Sequence, residues 1–229
     1  MILKEKGKYM SRNYEKPMEH WKNIFGKMEV KIPSEFNSGN EDLNNGVKWL
    51  VEGSESVLDF GCGHGTLMFC CGFLGVKRLY GIDMCEEAIA VAKQRAAGLN
   101  NTDYRFEIGS ISDLSNIEDE SFDSMLISNV LDNLYPEDAE KLLKESYRIL
   151  KKGGKILIKL NPLLSKEVIE EYEIKIIEDN VLDDGMILWN NNDKQWKEFI
   201  EKYFFIEEYS KIYYKEYETE NRLYKAIKK

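Results

Sequence analysis

The stretch VLDFGCGHGTL places Gly61, Gly63 and Gly65 at alternate positions, directly after one apolar run and directly before another. Glycine lacks a Cβ and tolerates positive φ, so this pattern marks a tight passage from strand to helix whose backbone another group can approach closely. The chain on either side extends that unit. Residues 57–60, 78–82, 104–108, 122–128 and 155–160 are short and largely apolar, β-branched or aromatic, as buried parallel strands are. Between them, residues 66–74, 86–97 and 136–150 have helical character and run to glycine stops at Gly75, Gly98 and the Gly153, Gly154 pair. Pro136 suits a first helical turn, where its missing N–H would have had no intrahelical partner. The alternation predicts a parallel sheet with helices on both faces.

The last third departs from that rhythm. Residues 173–180 and 186–190 are strand-like and flank Asp183-Asp184-Gly185, which predicts an inserted β-hairpin over 173–190. A helix is expected over 196–203, followed by closing strands over 204–214 and 222–227. With 229 residues and 43% hydrophobic content, one sizeable core and one domain over 1–229 are expected, residues 1–45 forming an N-terminal cap.

Composition excludes several functions. The formal net charge is -9, and no Lys/Arg cluster is long enough to track phosphates, so no nucleic-acid partner is expected. The longest nearly apolar run, residues 67–76, is far short of the roughly 20 residues that cross a bilayer, so no membrane partner is expected either. The first four residues, Met1 to Lys4, lack the shape of a secretory signal, and a cytoplasmic protein is expected. Cys62, Cys70, Cys71 and Cys85 contain no CxxC pair, and the only histidines are His20 and His64. These thiols are read as reduced and buried, and no metal site is expected.

In a doubly wound sheet, ligands bind outside the carboxyl ends of the strands. The second strand ends at Asp83, 20 residues beyond Gly63, a spacing that lets a carboxylate accept hydrogen bonds from the two hydroxyls of an adenosine ribose. Asp83 could instead cap the helix that follows. A nicotinamide-binding turn would carry a third glycine where this chain has Thr66, and here Asp59 precedes the first glycine by two positions.

The resulting order, D-x-G-x-G-x-G, resembles the first motif of class I S-adenosylmethionine-dependent methyltransferases. The resemblance spans roughly residues 45–160. YGIDMCEEAIAVAKQRA is similar to the second strand and helix of that family, FEIGSISDL to its third strand and loop, FDSMLISNVLDNL to its fourth strand, and SYRILKKGGKILI to the helix-turn-strand that follows. It implies a Rossmann-like, doubly wound, mostly parallel seven-stranded sheet, with S-adenosylmethionine as cofactor and S-adenosylhomocysteine as product. It further implies that Asp59, Phe60, Gly61, Cys62 and Gly63 bind the cofactor, with its methionine portion over Gly61 to Gly65, and that Asp83 holds the ribose. Met84, Ser110 and Ile111 would enclose the adenine, and Asn129 would lie beside the cofactor.

Departures leave the chemistry open. Many relatives carry an acidic residue at Ser110, so Asp113 or backbone would have to meet the adenine amino group here. Where many small-molecule enzymes carry a histidine after the fourth strand, this chain has Asp132 and Asn133, which either face the acceptor or simply end the strand. No catalytic acid or base is assigned. Asn161-Pro162-Leu163-Leu164 lacks the second proline and the aromatic of the amino-directed DNA methyltransferase tetrapeptide, and it follows the fifth strand rather than the fourth. Trp21, Phe25, Trp189, Trp196 and Tyr203 are candidates for an acceptor cover, with the segment around Trp21 and the 173–190 hairpin closing over the pocket. The expected reaction is methyl transfer to an N or O nucleophile of a small molecule. A non-catalytic cofactor-binding module and a nicotinamide-dependent oxidoreductase are the alternatives, and the oligomeric state stays open.

Overall fold

The computed structural model describes residues 14–99 and 102–229; residues 1–13, part of the expected N-terminal cap, and residues 100 and 101 lie outside that description. Along the chain come α1 (Glu15–Phe25), α2 (Glu41–Val51), β1 (Ser56–Phe60), α3 (Thr66–Phe73), β2 (Arg78–Asp83), α4 (Glu86–Ala97), β3 (Asp103–Ile108), β4 (Phe122–Ser128), α5 (Pro136–Ile149) and β5 (Leu150–Leu160). These are followed by α6 (Lys166–Glu171), β6 (Lys175–Glu178), β7 (Val181–Asp183), β8 (Ile187–Trp189), α7 (Asp193–Ile200), β9 (Phe204–Tyr214) and β10 (Thr219–Lys228).

Seven strands form one sheet in the order β3-β2-β1-β4-β5-β10-β9, parallel from β3 to β5 and antiparallel where β10 enters between β5 and β9. The chain leaves β1 toward β2 on one side and later returns to β4 on the other, and this reversal opens a crevice at the carboxyl ends of β1 and β4. Every residue of β1 is buried because both faces are covered. One face carries α5 and α7, with Leu58, Met125, Ile158, Leu142 and Trp196 in a common core; the other carries α2, α3 and α4 around Val57, Leu126, Val47, Phe69 and Ile89.

Two glycine stops serve purposes other than those expected. Gly98 closes α4 with φ -86, which any residue adopts, and its missing side chain leaves room for Ile32, whose Cδ1 would lie 2.3 Å from a Cβ there. Helix α5 ends at Ile149, and β5 begins at once and runs through Gly153 and Gly154. The insertion has three antiparallel strands, β6-β7-β8, rather than two. Its first predicted strand is broken after Glu178 by a turn in which Asp179 takes φ 42, a conformation that short polar side chains tolerate best. Each strand is short, and β6 is exposed throughout, so β7 and β8 hold the insertion to the body through buried Val181, Leu182, Ile187 and Leu188.

Candidate functional site

At the crevice, Gly61, Gly63 and Gly65 have φ of +74, +52 and +83. Their neighbours differ. A Cβ on Gly61 would lie 2.2 Å from Val130 Cγ2, and one on Gly65 would lie 2.9 Å from Phe106 Cζ and Phe69 Cε2, so these two glycines serve backbone conformation and packing. A Cβ on Gly63 would meet only Phe25 Cζ, at 3.4 Å, and Gly63 is the position that opens onto free space. The loop is pinned from three sides: Gly61 and Cys62 donate backbone N–H bonds to the Ile82 carbonyl (2.7 and 3.1 Å), Gly63 N–H to Asp83 Oδ2 (2.8 Å) and Arg95 Nη1 to the His64 carbonyl (2.8 Å). Burial and the Arg95 charge lower the His64 pKa to about 4, so its ring is neutral and interacts with Thr66 Oγ1 at 3.0 Å.

The 20-residue spacing between Gly63 and Asp83 becomes a direct hydrogen bond. The other Asp83 oxygen accepts from the N–H of Cys85, the residue before α4, at 2.8 Å, so this carboxylate braces the turn into the helix and also faces the cavity. Asp59 and Cys62 do not reach that cavity. Asp59 is 2% exposed, its Oδ1 has no hydrogen-bond partner among the described residues, and burial together with the Asp83 charge pushes its pKa up to about 8. The Cys62 side chain turns under the loop, where its Sγ would lie 2.8 Å from a Cβ on Gly81, and burial raises its pKa.

The cavity holds about 450 Å³. Phe60, Gly61, Gly63, Asp83 and Asn129 form its floor, and Met84, Ser110 and Ile111 one end. Its roof is Trp21 and Phe25 of α1, stacked at 5.8 Å, with Met186 from the turn between β7 and β8 and Ile187 at the start of β8. Tyr14, Asn133, Asp138 and Lys141 close the far end, and Tyr14 Oη donates to Asp138 Oδ2 at 2.7 Å while accepting the Tyr135 N–H at 3.1 Å. Asp138 and Lys141 were not expected from the sequence, whereas Tyr14, Met186 and Ile187 fall in the two segments expected to cover the pocket without being singled out there. Tyr14, Met18, Trp21 and Phe25 all line the cavity, and their spacing of four, three and four residues is a helical stripe readable in advance.

Several expected contacts lie elsewhere. Asp132 is fully buried, accepts from Asn161 N–H at 2.6 Å, and does not line the cavity; burial raises its pKa to about 6. It sits in the 3-10 turn over 131–133 that follows β4, and the buried Arg222 charge pulls its pKa back down. Asn133 lines the cavity, yet its amide is spent on structure, donating to the Ile187 carbonyl (2.8 Å) and accepting from Asn161 Nδ2 (2.9 Å). Trp189 faces away, packing edge-on against Trp196 (5.0 Å) and Phe199 (4.9 Å). Trp196 is core, and Tyr203 Oη donates to Glu140 at 2.7 Å outside the cavity. Asp113 accepts from Ser110 N–H (2.7 Å) and Oγ (2.8 Å), an N-terminal capping arrangement for the 3-10 turn over residues 111–116.

The sequence profile of a methyltransferase domain matches residues 52–207. A ribosomal protein L11 methyltransferase of Staphylococcus saprophyticus is 32% identical over 150 residues, 66% of this chain and 44% of that protein. An arsenite methyltransferase of Aquipseudomonas alcaligenes is 36% identical over 115 residues, 47% of this chain and 32% of its own length. The chain thus spans less than half of these relatives. Among solved structures, a SAM-dependent methyltransferase of Methanosarcina mazei superposes with a TM-score of 0.64 at 21% identity, covering 76% of this chain and 92% of that one, a likeness of fold.

Proposed function

Because this chain belongs to the class I S-adenosylmethionine-dependent methyltransferases, with S-adenosylmethionine as cofactor and S-adenosylhomocysteine as product, we propose that it methylates an N or O nucleophile of a small molecule. The observation that carries the acceptor class is the roof. Trp21, Phe25, Met186 and Ile187 close a cavity of about 450 Å³ that has to accommodate cofactor and acceptor together, which favours a small acceptor over a folded macromolecule. Capture of arsenite by thiolates is not favoured, since all four cysteines are buried and none lines this cavity.

The residues present fit the cofactor. Gly63 offers bare backbone to its methionine portion, Asp83 a carboxylate to its ribose hydroxyls, and Met84, Ser110 and Ile111 a partly apolar slot to its adenine. The bound cofactor supplies an already activated methyl group on its sulfonium. The protein's contribution is then to align the acceptor and exclude water, which positioning alone can accomplish. Asp138, held by Tyr14, is the carboxylate at the acceptor end. Labelled methyl groups incubated with enzyme and a cell extract should appear in the low-molecular-weight filtrate. Label confined to retained protein or RNA would overturn the acceptor class.

Two further outcomes follow from the placement. Gly63→Ala puts a methyl group beside Phe25 at a positive φ and should weaken S-adenosylhomocysteine binding several-fold by calorimetry; unchanged affinity would move the methionine portion elsewhere. The cover is built from two elements bridged by Lys16 Nζ and Asp183 Oδ1 at 2.8 Å. Bound S-adenosylhomocysteine should therefore slow amide exchange in residues 14–28 and 181–189 while leaving exposed β6 unchanged. Equal exchange with and without ligand in both segments would count against a cover that closes on the cofactor.

A further inference from the structure

Lys159, near the end of β5, is 8% exposed and does not line the cavity. Its ammonium donates to Asn129 Oδ1 at 2.9 Å and lies 5.2 Å from the centroid of the Tyr214 ring. Burying an ammonium is costly, and one amide oxygen and one aromatic face are sparse compensation for three donors. Burial lowers the Lys159 pKa to about 8, against the opposing pull of Asp132. Asn221 Nδ2, from β10, approaches the same Asn129 oxygen at 3.4 Å.

The consequence falls on Asn129. This residue follows β4 directly, sits in the left-handed region with φ 54, donates its backbone N–H to the Lys159 carbonyl at 2.8 Å, and lines the cavity. An ammonium can only donate, so the amide must turn its oxygen toward Lys159. Its Nδ2, which donates to nothing among the described residues, is left as the free end of a cavity-lining side chain.

We propose that Lys159 is a positioning residue that fixes the Asn129 amide so that Nδ2 donates a hydrogen bond to the carboxylate of the cofactor's methionine portion. The inference rests on the cofactor placement proposed above. A donor at this point discriminates between the two ends of the amino acid, since the carboxylate accepts whereas the ammonium only donates. It also gives the loop end of β4 a role that sequence did not assign to Lys159.

The test compares S-adenosylhomocysteine with 5′-methylthioadenosine, which lacks the amino-acid portion but keeps ribose and adenine. Lys159→Met keeps the length of the side chain and removes the charge, and Asn129→Gly removes the amide while accepting the positive φ. In calorimetry each should lose about tenfold in affinity for S-adenosylhomocysteine, the scale of a charge-assisted hydrogen bond, and stay within about twofold for 5′-methylthioadenosine. Because Lys159 acts through Asn129, the double variant should bind S-adenosylhomocysteine no more weakly than Asn129→Gly alone. Equal losses for both ligands, losses that multiply in the double variant, or an unaffected Lys159→Met would each overturn the proposal. If Lys159→Met does not fold, Lys159→Gln, which removes the charge while keeping a polar side chain, takes its place in the same comparison and should show the same ligand-selective loss. Failure of the unsubstituted protein to bind either ligand would overturn the cofactor placement as well.

Discussion

Asp83→Ala should lose between about tenfold and a hundredfold in affinity for S-adenosylhomocysteine, the equivalent of roughly 1.5–3 kcal/mol for charge-assisted hydrogen bonds. A carboxylate offers about four lone-pair positions, and here one on each oxygen is taken, by Gly63 N–H and by Cys85 N–H, both at 2.8 Å. The remaining capacity faces the cavity and matches the two hydroxyls of a ribose. The substitution therefore has two effects, deleting the ribose acceptor and releasing the glycine loop at Gly63. Asp83→Asn separates them. Its amide can offer an oxygen to one backbone N–H but presents a donor to the other, so it should recover only part of the loss. Calorimetry with less than about a twofold change for Asp83→Ala would remove this residue from the site.

The strand-helix order was legible because buried parallel strands are continuous apolar runs, and a glycine-rich turn between them has few other uses. The floor of the site was legible for the same reason. Gly63 and Asp83 stand on rigid strand ends whose spacing is set by the sheet, and the structure joins them by a hydrogen bond. What motif order could not show is which way a side chain turns. Asp59 and Cys62 sit in the same motif yet point inward, and Gly61 and Gly65 are glycines because Val130, Phe69 and Phe106 need the space. Asp132 lies outside the cavity, and the Asn133 amide that lines it is already bonded, because long-range partners claim both: Arg222 and Asn161 for one, Ile187 and Asn161 for the other. Those partners lie between 28 and 90 residues away, and no local pattern reports them. The Tyr14, Met18, Trp21, Phe25 stripe is the opposite case, a local signal whose destination only the tertiary packing supplies.

Asp59 carries the largest expected dependence of stability on pH. Its carboxyl lies fully inside the protein beside the Asp83 carboxylate, and burial first, then that neighbouring charge, raise its pKa from 3.8 to about 8. The unfolded chain releases this proton near the ordinary value, whereas the folded chain keeps it until about pH 8. Between the two the native state holds the extra proton, so the stability this group contributes falls as pH rises from about 4 to about 8 and levels off above that. Asp132, raised to about 6, adds a smaller loss of the same sign over the lower part of the window, and neutral His64, lowered to about 4, adds a gain. Asp59→Asn keeps the shape and removes only the Asp59 ionisation, so subtracting the two proteins isolates it. Measured by urea unfolding, the variant should be close to the parent below about pH 4 and more stable by a few kcal/mol near pH 8, on the scale of 1.36 kcal/mol per pKa unit. Parallel stability curves across that range would show that Asp59 ionises normally in the folded protein. Below pH 8 the neutral Asp59 also spares Asp83 a second buried negative charge. Adding Asp83→Ala should therefore shift the window in which Asp59 matters toward lower pH and shrink the difference near pH 8, because the neighbouring charge that helped hold the proton is gone.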